Sequence, residues 1–420
     1  MRVLYLNAGH YPDDWQKCAN GSLRRKRLFV EAIAKMAEID FLYYVPPETD
    51  ISSARIAQIE HDIEQYWHAR VNLYLCPQWE HPATLPKWQQ QAAGVGDYFQ
   101  QQPYMRSSGP AQVQALERCL DRQPDVIVAQ RLSAMSPLLR TRRPLPPVLF
   151  DLDDIAHIRF LRQLAQTRSP KGILEGLQFP SRFWGESCAI RLASKTFVCS
   201  EGDRDYLCRR LGYRNIEVIP NSVAIPNEQP IVTEPTLLFL GGYSFGPNLQ
   251  GANFLIERVW PKIIQNVPSA RLILAGEAPN RIRFFGKGIA EVEFTGYVDN
   301  LDALYRRSRI VCCPIFSGAG TRVKMVEAGA YGKPIVATRI GAEGLCFTDG
   351  RDYLLRNRPK EFAWACLDLL KNDNLCWQLG SAARAAAIRH YDRKQIAKQI
   401  QEQVRQVLQL SAQGRAQALV

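Results

Sequence analysis

The strongest constraint on the fold of this chain is the unit running from Ile310 to Leu345. It reads as a short apolar strand, a glycine-rich turn, a helix and a second apolar strand. Ile310–Ile315 is an apolar run suited to a strand buried on both faces, and Ser317, Gly318 and Gly320 let the backbone turn tightly and approach a ligand. Thr321–Tyr331 then reads as a helix with Thr321, Arg322 and Lys324 in its first turn. A helix start exposes unpaired N–H groups and the positive end of the macrodipole, which favours phosphate oxygens. Arg322 adds a planar fork of donors and Lys324 a point charge. Glu327 lies too far along the helix to cap it and is suited to accepting hydroxyls. An ordinary crossover helix with solvated charges is the competing reading.

Further strands and helices support a repeated α/β pattern. Arg2–Asn7 reads as a first strand, Gly9–Gly21 as a long loop, Ser22–Met36 as a helix with Ser22 at its N-cap, and Ile39–Val45 as a second strand. Such an opening fits a doubly wound sheet, whose ligands sit outside the carboxyl ends of its strands. Residues Pro46–Arg122 read as helices and loops, Gln-rich near Gln89–Gln102 and carrying Trp67, Trp79 and Trp88, that shape an acceptor surface. Asp125–Ala129 and Val148–Leu152 resume the strands. Leu237–Leu240 and Leu272–Ala275 are strands of a second sheet, with Asn248 capping a helix toward Ile264. Pro359–Val420 is helical in period, ending in a polar tail, Ser411–Val420, expected to fray.

Several segments resemble one family. The stretch GAGTRVKMVEAGAYGKPIVAT followed by GAEGL is similar to the donor-binding region of retaining GT-B glycosyltransferases of the family-four group, especially bacterial sugar transferases of surface-polysaccharide clusters. FVCSEGDRDYL (Phe197–Leu207), VIPNSV (Val218–Val223), LLFLGGYSFGPN (Leu237–Asn248), ARLILAG (Ala270–Gly276) and VEFTGYVDNLDALY (Val292–Tyr305) extend the likeness over roughly residues 190–390. The resemblance implies an α/β GT-B fold, with two Rossmann-like domains facing a cleft. An acceptor-side domain would span 1–225, a nucleotide-sugar domain 226–390, and a terminal helix, 391–420, would cross back to the first. It further implies a glycosyltransferase of the hexosyltransferase class, retaining in stereochemistry. A nucleoside-diphosphate sugar would be held by Gly241, Gly242, Gly276, Gly296, Tyr297, Val298, Gly318, Gly320, Thr321, Arg322, Lys324 and Glu327. The hydroxyl acceptor, a glycan or lipid-linked sugar, would approach Gly21 and Ser22. Arg322 and Lys324 would neutralise the leaving diphosphate, and Asp153 or His157 would polarise an acceptor hydroxyl or orient donor hydroxyls.

Two departures from the family pattern are visible. Counting eight positions back from Glu327 gives Ala319 where a sugar-holding Glu commonly stands, and Gly241-Gly242-Tyr243 replaces the family's usual Arg and Lys-Gly. A GT-B nucleotide-sugar epimerase and a non-catalytic nucleotide-sugar-binding protein are the alternatives. No cofactor is expected. The D-x-D pair Asp151 and Asp153 has the composition of a divalent-metal ligand set, but the resemblance favours helix ends and basic side chains. Asp153 or Asp154 as a helix N-cap is the structural competitor.

Composition sets the remaining bounds. A chain of 420 residues with 46% hydrophobic content suits two ordinary cores. There is no run of about 18 apolar residues to span a bilayer, and the N-terminus does not read as a signal peptide, so a cytoplasmic location is expected. Eleven cysteines without a C-x-x-C pair argue against both a disulfide framework and structural zinc. The net charge of +12 divides as +3 over residues 1–230 (28 basic, 25 acidic) and +9 over 231–420 (25 basic, 16 acidic). Charge alone is the only argument for nucleic acid, and none is expected as a partner. The basic run Arg24–Arg27 reads either as a solvated helix face or as a peripheral contact with an anionic membrane.

Overall fold

The computed structural model describes residues 1–8, 21–78, 108–165, 176–228, 232, 234–298, 300–318 and 320–417. Residues 9–20, most of the expected loop Gly9–Gly21 and including Cys18, together with Trp79, Trp88, Gln89–Gln102 and Ala319, lie outside these residues. The chain divides into two compact units, Met1–Ile219 with Gln395–Val420, and Pro220–Lys394.

The first unit is built on a seven-stranded parallel sheet. Its strands are β1 (Arg2–Ala8), β2 (Glu38–Val45), β3 (Val71–Pro77), β4 (Val126–Gln130), β5 (Val148–Asp153), β6 (Lys195–Val198) and β7 (Ile216–Val218). They pair in the order β3-β2-β1-β4-β5-β6-β7. Near-continuous burial of β1, β2, β4 and β5 is the pattern of a parallel sheet covered on both faces. One face packs on the helices Gly21–Ala34 and Ser53–Trp67, and Ile396, Ile400, Val404 and Val407 of the terminal helix Arg393–Gln417 complete that core.

The second unit holds six parallel strands: β8 (Thr236–Leu240), β9 (Arg271–Ala275), β10 (Val292–Gly296), β11 (Ile310–Cys313), β12 (Ile335–Ala337) and β13 (Leu354–Leu355). Their order is β10-β9-β8-β11-β12-β13. Each sheet thus reverses its winding once, between β1 and β4 in the first and between β8 and β11 in the second. Such a reversal sends consecutive connections to opposite faces and leaves a crevice at the carboxyl ends of the two strands involved. The GT-B expectation of two doubly wound sheets is met.

Four local expectations need correction. Pro46–Arg122 contains the strand β3 as well as the helices Ser53–Trp67 and Pro110–Leu120; its sequence, VNLYLCP, is too short for periodicity to separate it from its surroundings. Ser22 is the second residue of the helix Gly21–Ala34 and is buried, so it is not the N-cap. The final helix continues through Gln417, into the segment expected to fray. In the basic run, Arg25 and Lys26 are buried in the unit's interior, at 1% and 0% exposure, so the run is not a solvated cationic face.

The terminal helix is an integral part of the first core, since Ile400 is fully buried there. Ile400→Ala is expected to lower the stability of the first unit by about 2–5 kcal/mol, read as a shift of that unit's transition in denaturant titration.

Candidate functional site

In the second unit, the loops after β8, β9, β10 and β11 gather at one edge of the sheet. Gly276 follows β9 with φ +146°, and a side chain there would drive its Cβ into the Gly241 carbonyl. The two loops therefore touch through bare backbone. The Gly241 N–H donates to Ala275 O (2.9 Å) and the Gly276 N–H to Gly296 O (2.7 Å), which ties the three strand ends together. Gly241 consequently cannot offer its N–H to a phosphate, and its role is close packing. Gly242 uses its carbonyl to accept from Asn248 Nδ2 (3.0 Å). Tyr297, just past Gly296, is half exposed, while Val298 packs on the core.

The loop after β11 lies at the winding reversal. Gly318 (φ +102°) and Gly320 (φ +78°) occupy backbone conformations that side chains disfavour. The helix starts at Val323, two residues later than the sequence predicts, with Arg322 as its N-cap. Arg322 Nη1 donates to Gly320 O (2.7 Å) and Nη2 to Ser317 O (3.3 Å), so the guanidinium folds back over its own turn and shapes it. Thr321 Oγ1 accepts from Asn221 Nδ2 (2.8 Å).

Lys324 is the centre of this site. It is half-buried; its Nζ donates to Asn248 Oδ1 (2.8 Å) and lies 4.6 Å from the centre of the Phe239 ring. No described carboxylate lies within salt-bridge distance of it. Burial, with help from the Arg322 guanidinium, pulls the ammonium down to about 8. Asn248 therefore bridges Lys324 and the Gly242 carbonyl, and it sits inside the helix Gly246–Phe254 rather than capping it. The helix-start reading missed this because the partners are 76 positions apart. Glu327, one turn on and half-buried, accepts from Tyr305 Oη (3.2 Å), and Tyr305 stacks on Tyr331 at 4.4 Å.

The arrangement has the physical features that favour an anion: a helix start, a cation without a carboxylate partner among the described residues, and a half-buried Glu one turn on, all at the reversal of a parallel sheet. It brings together Gly318, Gly320, Thr321, Arg322, Lys324 and Glu327. Gly241, Gly242, Gly276 and Gly296 form its backbone floor.

In the first unit the expected chemical residues are already engaged. Arg25 Nε donates to both Asp151 oxygens (2.8 and 3.0 Å), its Nη2 lies 2.6 Å from Asp151 Oδ1, and its Nη1 donates to Ile219 O (2.7 Å). Burial pushes Asp151 up to about 6, against the pull of Arg25. Asp153, with φ +65°, accepts from Cys199 Sγ (3.1 Å) and Arg131 Nη2 (3.2 Å). Despite burial, Arg25 and Arg131 hold its carboxyl below the usual range. The D-x-D pair is thus an arginine-bound cluster. Among the described residues no group of three or more His, Cys, Asp or Glu is placed to hold a metal ion.

His157 is 2% exposed. Its Nδ1 is hydrogen-bonded to Glu186 Oε2 and its Nε2 to Tyr206 Oη (2.9 Å). The same Glu186 carboxylate accepts the backbone N–H of Ala156 (2.6 Å) and His157 (3.2 Å), capping the helix Ala156–Leu164 in place of Asp153 or Asp154. With both ring nitrogens occupied and the ring enclosed, His157 has no free edge for a substrate. Gly21 is exposed at the start of its helix, where the described chain resumes.

Comparisons with known proteins fit this geometry. Residues 234–372 match the family described as Glycosyl transferases group 1. A phosphatidyl-myo-inositol mannosyltransferase of Mycobacterium leprae is 28% identical over 232 residues, covering 52% of this chain and 59% of that protein. An uncharacterized 44.6 kDa protein in the cps region of Klebsiella pneumoniae is 26% identical over 168 residues, 38% of this chain and 43% of that one. The chain thus spans about half the length of the curated relatives it matches. Among solved structures, a sucrose-phosphate synthase from Thermosynechococcus elongatus aligns with a TM-score of 0.69 at 18% identity, covering 97% of this chain and 99% of that one. HepE of Anabaena in complex with UDP aligns at 0.66 and 16%, covering 97% and 100%. These likenesses carry the fold.

Two outcomes test the site. A bound diphosphate favours the charged form of Lys324, whose ammonium loses its proton as pH rises through about 8. Pyrophosphate affinity, measured by calorimetric titration, is expected to be level below pH 8 and to fall above it by up to about tenfold per pH unit, with the fall absent in Lys324→Met. His157→Ala is expected to lower the stability of the first unit by about 2 kcal/mol through the stranded Glu186, while pyrophosphate affinity stays unchanged.

Proposed function

Because residues 234–372 match the Glycosyl transferases group 1 family, we propose that the chain transfers a sugar from a nucleoside-diphosphate sugar to a hydroxyl acceptor. The observation that carries the reading is the Lys324 ammonium, held by Asn248 beside a helix start and lacking a carboxylate partner among the described residues. A diphosphate supplies the missing negative charge.

In the transfer, the bond between the sugar's anomeric carbon and the diphosphate oxygen breaks, and a bond to the acceptor oxygen forms. Negative charge grows on the departing diphosphate. On this reading Lys324, the first-turn N–H groups of the helix Val323–Ala330 and the Arg322 guanidinium stabilise it, a role supported by their grouping at the helix start. Arg322 does so by releasing the Ser317 and Gly320 carbonyls or by keeping the turn in shape around the phosphates. Glu327, oriented by Tyr305, accepts hydroxyls of the ribose or the sugar. Charge neutralisation is assigned to these groups, so the reading invokes no divalent metal.

Retention of anomeric configuration is proposed from the family resemblance. The lipid headgroup named in the mycobacterial relatives supports a lipid-linked hydroxyl as acceptor, and the cps region of the Klebsiella relative supports a polysaccharide one. Membrane attachment through Arg24–Arg27 is not carried forward, because Arg25 and Lys26 are buried.

A panel of UDP-, GDP- and ADP-sugars, scored by thermal stabilisation and then by product formation with a glycan or lipid-linked acceptor, tests the proposal. One donor at a hundred times its Kd is expected to add about 2.7 kcal/mol. Lys324→Met is expected to cut turnover by about a hundred- to a thousandfold. Unchanged turnover in that variant would remove Lys324 from the diphosphate site, and isomerisation of the donor without acceptor would favour an epimerase.

A further inference from the structure

Beyond the far end of the helix Val323–Ala330 stands a second lysine, Lys333, more deeply buried than Lys324. After Tyr331 and Gly332 the chain enters β12 through Lys333 and Pro334, so this end lies at the amino edge of the sheet, opposite the loops that form the anion site. Lys333 is 3% exposed. Its backbone N–H closes the helix on Ala328 O (2.9 Å), but its ammonium has no hydrogen-bond or salt-bridge partner among the described residues. Burial first, and the nearby Arg306 second, pull that ammonium down to about 8. The lysine reaches a cavity, where an ammonium without a carboxylate partner is suited to receive an anion.

The residue lines a cavity of about 330 Å³, shared with Arg309, Tyr331, Trp377, Ser381 and Arg384. This is the small end of the range for small-molecule sites. Two of the surrounding arginines have carboxylate partners: Arg309 Nη2 is 2.6 Å from Asp373 Oδ1, and Arg306 pairs with Asp302. Among the described residues, Arg384 donates only to the carbonyls of Ala330 and Pro226 (2.6 Å to the latter). Glu228, on the same lining, is exposed and makes no ion pair with Lys333 or Arg384 among the described residues. Two cations therefore face the cavity without a carboxylate of their own. Ser381 adds a hydroxyl, and the Trp377 indole, 57% exposed, offers an apolar wall of the kind on which sugar rings rest.

We propose that this cavity is a second anion site, separate from the diphosphate site, that binds a phosphate dianion, either free or as the monoester of a small sugar. Lys333 and Arg384 meet the phosphate oxygens, Ser381 donates a hydrogen bond, and Trp377 covers the sugar of a monoester. The site stands independently of the transferase reading, because it uses none of the residues at the carboxyl edge of the sheet.

The test keeps the two anion sites apart by working in the full-length Lys324→Met protein. Melting temperature is followed against inorganic phosphate, and separately against glucose 1-phosphate, at constant ionic strength held with chloride. Saturable stabilisation by at least one of them is expected. Adding Lys333→Met is expected to weaken that affinity by at least about tenfold. Adding Ser381→Asp instead, which supplies an internal carboxylate, is expected to abolish the phosphate effect. This second variant retains the lysine and so answers the case in which Lys333→Met fails to fold. Stabilisation by both ligands that Trp377→Ala lowers only for glucose 1-phosphate identifies a monoester site, and equal stabilisation regardless of Trp377 identifies a site for free phosphate. No saturable effect of either ligand, or an effect that survives both Lys333→Met and Ser381→Asp, would overturn the proposal.

Discussion

The second sheet reverses its winding between β8 and β11, and the chemistry of the unit depends on that reversal. Two strands whose connections leave toward opposite faces open a crevice at their carboxyl ends. A helix that starts beside it points unpaired N–H groups toward the crevice. Lys324 is in the first turn of that helix, resting on Phe239 of β8 and held by Asn248 of the helix following β8. The fold thus places a cation between elements from both sides of the reversal, and burial keeps its charge incompletely compensated until an anion arrives. The Gly241–Gly276 contact serves the same end, because only bare backbone lets the strand ends close into a floor.

Two lysines flank the same helix, half-buried Lys324 in its first turn and buried Lys333 three residues beyond its last residue, Ala330. Lys324 faces the carboxyl edge of the sheet and Lys333 the amino edge. Between them, Tyr331 stacks on Tyr305, whose hydroxyl holds Glu327. An aromatic pair therefore joins the lining of the cavity to Glu327. The two proposed anion sites thus share one short element.

Much of the second unit was legible in the sequence because its information is local. Glycines mark the turns of Ser317–Gly320, an apolar run marks β11, and Arg322, Lys324 and Glu327 are ordered along one helix. What the sequence hid are partners set by distant pairing. Asn248 looks like a helix cap until the sheet brings Lys324 to it. The first unit was less legible for the same reason. Arg24–Arg27 has the composition of a solvated face, but Arg25 is drawn inward by Asp151, 126 positions away, and His157 is enclosed by Glu186 and Tyr206 from later helices. Removing either partner of the buried Arg25–Asp151 pair would strand a charge, so that pair is a structural fixture of the first unit rather than a metal or substrate site. The strand β3 escaped notice because seven residues without clear alternation carry too little period to announce it.

On the proposed function, Lys324 and the start of its helix receive the diphosphate of a nucleotide sugar. A crystal structure of the chain with a bound nucleoside diphosphate tests it most directly. The terminal phosphate is expected within hydrogen-bonding distance of Lys324 Nζ and of the N–H groups at Val323 and Lys324, with a hydroxyl of the ribose or sugar on Glu327. A diphosphate seated away from this helix, with Lys324 still bonded to Asn248 alone, would contradict it.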